Sequence, residues 1–110
     1  MYEYKATVDR WIDGDTLVVK VDLGFYVTVT QKIRLARINA PEMDANIPYQ
    51  VRRAKHARAV ARKFCPEESA ITLITTKNRK DRYARYIAEV VYKKTNLSDY
   101  LLKKGVALPY

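Results

Sequence analysis

Residues 12–23 read Ile-Asp-Gly-Asp-Thr-Leu-Val-Val-Lys-Val-Asp-Leu, and this stretch decides the fold. From Leu17 onward an apolar side chain stands at every second position, and Lys20 and Asp22 fall between them. This period of two predicts a β-strand with one apolar face. The Asp-Gly pair before the strand predicts a turn, and a second tight turn is predicted at 22–24.

Similar patterns on both sides of this stretch predict further strands. Alternation of apolar and polar residues predicts a first strand at 2–8. A third strand, rich in β-branched residues, is predicted to return from Phe25 to Thr30 and to continue to Ile38 after a bend near Thr30. The same β-branched content predicts strands at 70–76 and 86–92.

Two helices complete the predicted domain. Apolar residues, mostly alanine, recur at helical spacing over 51–64, and Pro66 disfavours helical geometry in the residue before it. A shorter helix is predicted at 97–104, with Asn96 as its N-cap and Gly105 as its stop. The element order predicts a mainly β (α+β) domain spanning 1–110. The predicted architecture is a five-stranded OB-type Greek-key barrel with a helix between strands three and four and a C-terminal helix.

The charge balance favours a polyanionic partner. The 110 residues carry 21 Lys+Arg against 12 Asp+Glu, a net charge of +9. A membrane partner is disfavoured, because no apolar run approaches the length of a spanning helix. Nucleic acid is therefore the favoured partner. The first residues lack the pattern of a signal peptide, which predicts a cytoplasmic protein if the chain is full length, and a secreted one if it is a mature fragment.

Two scarce residue types limit the chemistry. Cys65 is the single cysteine and His56 the single histidine, and the histidine stands among basic residues as a solvated or packing side chain would. A disulfide and a zinc site of histidine and cysteine are therefore excluded. Any metal has to be held by oxygen atoms, which indicates calcium, magnesium or manganese.

Three polar clusters stand where strands begin or end. They are 13–16, Arg34 with 39–42, and 79–85. Taken singly, each has an ordinary explanation: an Asp-Gly turn, an exposed arginine on a strand, and a solvated charged loop. Taken together they supply carboxylates, an amide oxygen and arginines, which are the groups that phosphodiester hydrolysis requires.

These segments carry a resemblance to a known family. Residues 12–16, 33–42 and 81–85 resemble the three signature stretches of the staphylococcal nuclease (thermonuclease) family, in the family's order and at roughly its spacing. The resemblance runs from about Thr7 to Ala107. It implies a metal-dependent nuclease that cleaves DNA or RNA with little sequence specificity, prefers single-stranded or locally melted substrate, and leaves 3′-phosphates.

The resemblance implies a calcium site with one departure. Asp15 matches the family's carboxylate ligand, and Ala40 stands where a backbone carbonyl ligates. Asn39 stands where the family has a second ligating aspartate, so the site loses one negative charge. Fewer charged ligands weaken calcium binding, and we expect reduced affinity.

The resemblance also implies roles for the charged residues around this site. Arg34 and Arg85 match the two arginines that hold the scissile phosphate, and Glu42 matches the proposed general base or water-positioning group. Asp13 and Asp81 resemble supporting residues that fix the turns.

Further features of the resemblance concern substrate contact and assembly. Tyr83 matches a tyrosine of the arginine loop and is a candidate substrate-binding residue, whereas Ala84 replaces a glycine. The loop 43–49 lacks the family's usual lysines. A monomer or a weak homo-oligomer is expected. Two alternatives stay open: a non-catalytic nucleic-acid-binding module on the same barrel, and a protein-interaction domain that uses an aromatic surface.

Overall fold

The alternating and helical patterns of the sequence appear as ten elements in the part of the chain that the structure describes. The structure is a computed structural model that describes residues 2–43, 46–75 and 85–110. The strands and helices, in chain order, are β1 Tyr2–Asp13, β2 Thr16–Asp22, β3 Thr28–Leu35, β4 Ile38–Asn39, α1 Pro48–Phe64, β5 Ala70–Thr75, β6 Tyr86–Tyr92, β7 Thr95–Asn96, α2 Leu97–Lys103 and β8 Leu108–Pro109.

Five of these strands close into a barrel. The strand order is β3-β2-β1-β5-β6, with β7 beside β6, and a parallel pairing of β3 with β6 joins the two ends. Ile33 pairs with Tyr86 and Leu35 with Ala88 at this closure. The short β4 pairs with β8 in a separate two-stranded sheet. The predicted five-stranded OB-type barrel is therefore confirmed, with α1 between its third and fourth strands.

The barrel interior holds the apolar face that the sequence pattern predicts. Leu17 and Val19 of β2 are fully buried, and Val21 is nearly so. Leu35 and Leu73 reach the same core from β3 and β5. Among the described residues, no helix is both long and apolar enough to cross a lipid bilayer.

The β2–β3 connection differs from the prediction. Phe25, which was predicted to open the third strand, lies in a turn with Tyr26, and β3 starts only at Thr28. The turn is closed by a 2.9 Å hydrogen bond from Val27 N to Gly24 O. Both central residues have positive φ, 53° and 60°. The aromatic content favours a strand, but the chain has to reverse here so that β3 can pair with β2.

The end of β3 also differs from the prediction. The strand ends at Leu35, and Ala36 and Arg37 form a turn in which Arg37 has a φ of 68°. Ile38 then belongs to β4, so it does not continue the face of β3 that carries Arg34. The turn arises because β3 leaves the barrel sheet here and the chain pairs next with β8.

The two helices agree with the prediction except at two boundaries, the start of α1 and the end of α2. Helix α1 begins at Pro48, within the segment predicted as a loop, because proline suits the first helical position. Its buried residues are three alanines, as predicted. Helix α2 ends one residue earlier than predicted, and Asn96 caps it by accepting a 3.2 Å hydrogen bond from Asp99 N.

A glycine sets the distance between α1 and the β1–β2 turn. A Cβ built on Gly14 would lie 2.8 Å from the Ala57 Cβ and 3.2 Å from the Ala40 Cβ. Ala57 is a buried residue of α1, and Ala40 is the residue just after β4. Gly14 therefore lets helix, turn and post-β4 loop meet at one point, immediately before Asp15.

We expect Gly14→Ala to destabilise the fold by about 1–3 kcal/mol, because the added methyl group overfills this contact. Chemical denaturation of Gly14→Ala, of Ala57→Gly and of the double variant measures the effect. The double variant is expected to lose less stability than the sum of the two single changes, because Ala57→Gly removes the closest clash. Strict additivity would contradict the proposed contact.

Candidate active site

Asp15 connects three separate segments of the chain. Its carboxylate accepts hydrogen bonds from Ala40 N at 3.0 Å and from the Thr16 hydroxyl at 3.1 Å. Its backbone carbonyl accepts a 2.8 Å hydrogen bond from Leu35 N, where β3 ends. The residue is 4% exposed. A buried carboxylate has to be satisfied by donors, and these bonds fix the β1–β2 turn against the end of β3 and the loop after β4.

Arg34 lies on the other side of this carboxylate. Its Nη2 is 3.8 Å from the Asp15 Oδ2, and it donates to Ile38 O at 3.0 Å and to the Asn39 Oδ1 at 3.4 Å. The Tyr110 ring lies under the guanidinium, 4.8 Å from the ring centroid to Cζ. With 8% exposure, Arg34 is a buried and ordered cation rather than an exposed strand arginine.

Thr16 joins Asp15 to the second arginine of the site. Its hydroxyl accepts a 3.0 Å hydrogen bond from the Arg85 Nη1 while it donates to Asp15. Thr16 is 1% exposed, and it pairs directly with Arg34 in the β2–β3 ladder. Thr16 was not among the residues predicted to take part in the site. The sequence feature that could have identified Thr16 is its position at the start of β2, directly after Asp15.

Glu42 lies between two neighbouring clefts. The first, which we call the Arg85 cleft, is lined by Asp13, Thr16, Lys32, Glu42 and Arg85, with Ile12 and Met43. The second, the Asn39 cleft, is lined by Glu42 together with Asn39, Ala40, Pro41, Gln50, Arg53 and residues 105–108. Glu42 is exposed, so its carboxylate is open to water.

Asp13 occupies a supporting position beside Glu42. Its Oδ1 accepts a 2.9 Å hydrogen bond from Met43 N, which ties the chain after Glu42 to the end of β1. The structure thus brings together seven of the predicted residues: Asp13, Asp15, Arg34, Asn39, Ala40, Glu42 and Arg85. Asp81 and Tyr83 lie outside the described residues.

The oxygen atoms near Asn39 are of the kind that hard cations bind, and few of them carry a charge. The Asp15 Oδ2 and the Asn39 Oδ1 lie 3.8 and 3.4 Å from the same Arg34 nitrogen, so in this structure the guanidinium is the cation beside both oxygens. Oxygen donors match calcium, magnesium and manganese. In the described part of the chain, no group of three or more histidine, cysteine, aspartate or glutamate side chains is placed to hold a metal. A site in this part of the chain would therefore combine at most two carboxylates with neutral oxygens.

Comparison with known proteins assigns this arrangement to a family. A family model described as staphylococcal nuclease homologue matches residues 32–110. The chain belongs to the staphylococcal nuclease homologue family. Endonuclease YhcR of Bacillus subtilis (strain 168) is 32% identical over 115 residues, covering 98% of this chain and 9% of that protein. The chain thus spans less than a tenth of that relative's length. The staphylococcal nuclease resemblance is confirmed, and the match contains Arg34, Asn39, Glu42 and Arg85.

In this family member an ion-pair network holds the turn that precedes Asn39. The Arg37 Nε lies 2.6 Å from the Glu89 Oε2, and the Arg37 Nη1 lies 3.0 Å from the Asp99 Oδ1. The Glu89 side chain also accepts a hydrogen bond from the Asn96 amide. The hydrogen bond from Arg37 lowers the pKa of Glu89, although partial burial opposes the shift. The turn is thereby tied to β6 and α2.

We expect Glu89→Gln to remove a pH-dependent part of the stability. A carboxyl whose pKa is lowered in the folded state stabilises the fold above its unfolded pKa of about 4.3, and this contribution is lost as the pH falls through the folded pKa. The advantage of the wild type over the variant in urea denaturation should therefore be largest near neutral pH and shrink below about pH 4.

Glu3→Gln is the matched control, because Glu3 is an exposed carboxylate with no ion pair to the described residues. Identical pH profiles for the wild type and Glu89→Gln would contradict the role of the Arg37 network.

Proposed function

We propose that the chain hydrolyses phosphodiester bonds of DNA or RNA, with a preference for single-stranded or locally melted substrate and with help from a divalent cation. The observation that carries the proposal is the Asp15–Thr16 junction. It holds Arg34 and Arg85 around one carboxylate, and Arg85 lines a cleft together with a solvent-accessible glutamate, in a member of a nuclease family.

The arginines suit a phosphate that gains charge during the reaction. Arg34 uses three N–H groups in the described hydrogen bonds, whereas a guanidinium has five. Arg85 lines the cleft and is hydrogen-bonded to Thr16. Donors fixed in this way before the substrate arrives stabilise the developing charge without further reorganisation. We assign to both arginines the binding of the phosphoryl oxygens.

Glu42 suits the activation of water. It is exposed and lines both clefts, so water reaches its carboxylate while a phosphodiester lies against Arg85. A carboxylate at hydrogen-bonding distance of a water can take its proton as the water attacks phosphorus. We assign to Glu42 the role of general base, which takes a proton from the attacking water as the new P–O bond forms. The P–O5′ bond breaks, the 5′-oxygen takes a proton from solvent and leaves as a hydroxyl, and the other product keeps a 3′-phosphate.

The cation would be held by the carboxylate of Asp15, the amide oxygen of Asn39 and the backbone carbonyl of Ala40. Calcium accepts this combination of charged and neutral oxygens, and magnesium or manganese are the alternatives. When bound, the ion supplies Lewis-acid polarisation of the phosphoryl group. In this proposal the arginines bind and orient the phosphate, and Glu42 accepts the proton of the attacking water.

The surface beside the Asn39 cleft supports a polyanionic substrate. Tyr49, Arg52, Arg53, His56 and Lys104 line an adjoining depression, which shares Arg53 with the Asn39 cleft. None of these residues forms an ion pair with an acidic residue of the described chain. An exposed basic groove without local counter-charges attracts a phosphate backbone.

We expect Glu42→Gln and Arg85→Lys each to lower the cleavage rate by about 100-fold or more. The first change removes the base at constant shape, and the second keeps the charge but loses the paired donors. Cleavage of a fluorescent single-stranded oligonucleotide in calcium, in magnesium and in chelator measures the effect, and mass spectrometry of the products tests for 3′-phosphates.

Glu3→Gln is the control for loss of a carboxylate, since Glu3 is exposed on β1 and lines neither cleft. Cleavage at the wild-type rate by the Glu42→Gln variant, or cleavage undiminished by chelator, would overturn the proposed reaction.

We expect Asn39→Asp to tighten calcium binding by roughly tenfold or more, because it adds a negative charge beside Asp15. Isothermal titration calorimetry with calcium alone measures this gain independently of activity. Ala36→Ser is a neighbouring control without added charge. Equal calcium affinity in the wild type and Asn39→Asp would remove Asn39 from the metal site.

A second candidate function is binding of nucleic acid without cleavage. The observation that favours it is the single carboxylate among the proposed ligands. Under this alternative the protein would bind a labelled strand in chelator and leave it intact in every cation. Cleavage that requires metal and Glu42 would exclude it.

A further inference from the structure

The turn between β2 and β3 exposes two aromatic rings. Phe25 is 97% exposed and Tyr26 is 107% exposed, and we call this pair the aromatic tip. The backbone beneath the rings is ordered: Leu23 N donates to Val27 O at 2.9 Å, and the Asp22 Oδ1 accepts from Gly24 N at 2.8 Å. The rings thus project into solvent from a hydrogen-bonded turn.

The fold gives no structural reason for aromatic residues at these positions. Phe25 and Tyr26 have φ values of 53° and 60°, which side chains with a Cβ disfavour. A turn with two positive-φ central residues is best formed by Asn-Gly. The rings contribute no burial in the barrel either. Strained or exposed residues of this kind persist where function requires them.

The aromatic tip closes the β2–β3 ladder at one end, and at the other end one sheet face of the ladder carries the candidate active site. In the β2–β3 ladder Thr16 pairs with Arg34, and the next pairs on that face are Val18 with Lys32 and Lys20 with Thr30. Side chains two residues apart share a face. The face therefore starts at the arginine and leads to the tip. At about 3.3 Å per residue, the six residues from Arg34 to Thr28 span roughly 20 Å.

Two lysines lie along this face between the active site and the tip. Lys20 and Lys32 are both exposed, and Lys32 also lines the Arg85 cleft. Lys32 thus brings positive charge to the place where a phosphodiester is proposed to bind, while the exposed Asp22 lies on the same face next to the tip. A membrane or a protein partner would not need lysines that lead to the Arg85 cleft. A nucleic-acid strand that enters this cleft would pass along them.

We propose that Phe25 and Tyr26 stack on bases of a single-stranded nucleic acid whose backbone runs from the Arg85 cleft past Lys32 and Lys20. The assignment rests on the proposed function of the cleft. It adds an outlying binding site that anchors a strand several nucleotides from the scissile bond. A spacing of this size fits the 4–16 nucleotides that single OB-type domains cover.

The test compares variants that keep or lose the rings. Phe25→Leu/Tyr26→Leu keeps the apolar character but removes both rings, and Phe25→Tyr/Tyr26→Phe keeps both rings. Binding of fluorescein-labelled oligothymidylates of 4 and 12 nucleotides is measured by anisotropy in chelator, where no metal-dependent cleavage occurs. We expect the ring-free variant to bind the 12-mer about tenfold or more weakly. The ring-exchanged variant should stay within about twofold of the wild type.

A second variant separates binding from folding. Phe25→Asn/Tyr26→Gly installs the preferred turn sequence, so its melting temperature should rise while its affinity for the 12-mer falls. Val27→Thr is the control, because it reduces apolar exposure in the same turn without removing a ring. It should bind the 12-mer as the wild type does.

Equal 12-mer affinity of the ring-free and ring-exchanged variants would overturn the proposal. So would binding of the wild type to phosphatidylserine vesicles, or its self-association in sedimentation, that is lost in the ring-free variant while 12-mer binding persists. Cleavage by the wild type is assayed separately in calcium. Failure of cleavage would reject the proposed reaction, whereas the anisotropy comparison decides the aromatic tip.

Discussion

The buried carboxylate of Asp15 is the interaction on which the rest of the structure depends. A carboxylate that is nearly excluded from water has to be satisfied by protein donors or cations, and here the donors come from different segments. Ala40 N, the Thr16 hydroxyl and the nearby Arg34 guanidinium surround it. Its own carbonyl meets Leu35 N at the end of β3. One residue therefore holds the barrel edge and the groups proposed to act on phosphate.

This arrangement requires close approach of the backbone around Asp15. Gly14 lets the β1–β2 turn lie against Ala57 of α1, and that position brings Asp15 within reach of Ala40. On the far side, Arg37 ties the next turn to β6 and α2 through Glu89 and Asp99. The candidate site thus rests on rigid contacts from both helices and three strands, as a preorganised electrostatic site requires.

Much of the fold follows from local patterns in the sequence. The period-2 stretch from Leu17, the alanine stripe of α1 and the Asn96 cap all appear as predicted. Besides shifted boundaries of β1, α1 and α2, two errors fall where the chain changes direction, at Phe25 and at the end of β3. There the requirement for pairing with another strand overrides local propensity, and a single sequence does not display that partner.

The candidate site likewise contains residues that could be predicted from the sequence and others that could not. The charged residues could be selected because carboxylates and arginines stand where apolar strands begin or end, and the structure places five of them together with Asn39 and Ala40. Thr16 received no role, because a hydroxyl acts here only through partners that lie far away in sequence: Arg85 is 69 residues from it. The burial of Arg34 beneath the Tyr110 ring likewise depends on the chain end folding back over the site.

The most direct test of this account is the cleavage rate of Thr16→Val compared with Thr16→Ser, measured as kcat and KM on a single-stranded oligonucleotide in calcium. The hydroxyl joins Asp15 to Arg85, so valine should lower kcat by about tenfold or more with little change in KM. Serine, which keeps the hydroxyl, should restore most of the rate. Equal kcat values in two folded variants would contradict the claim that this junction organises the site.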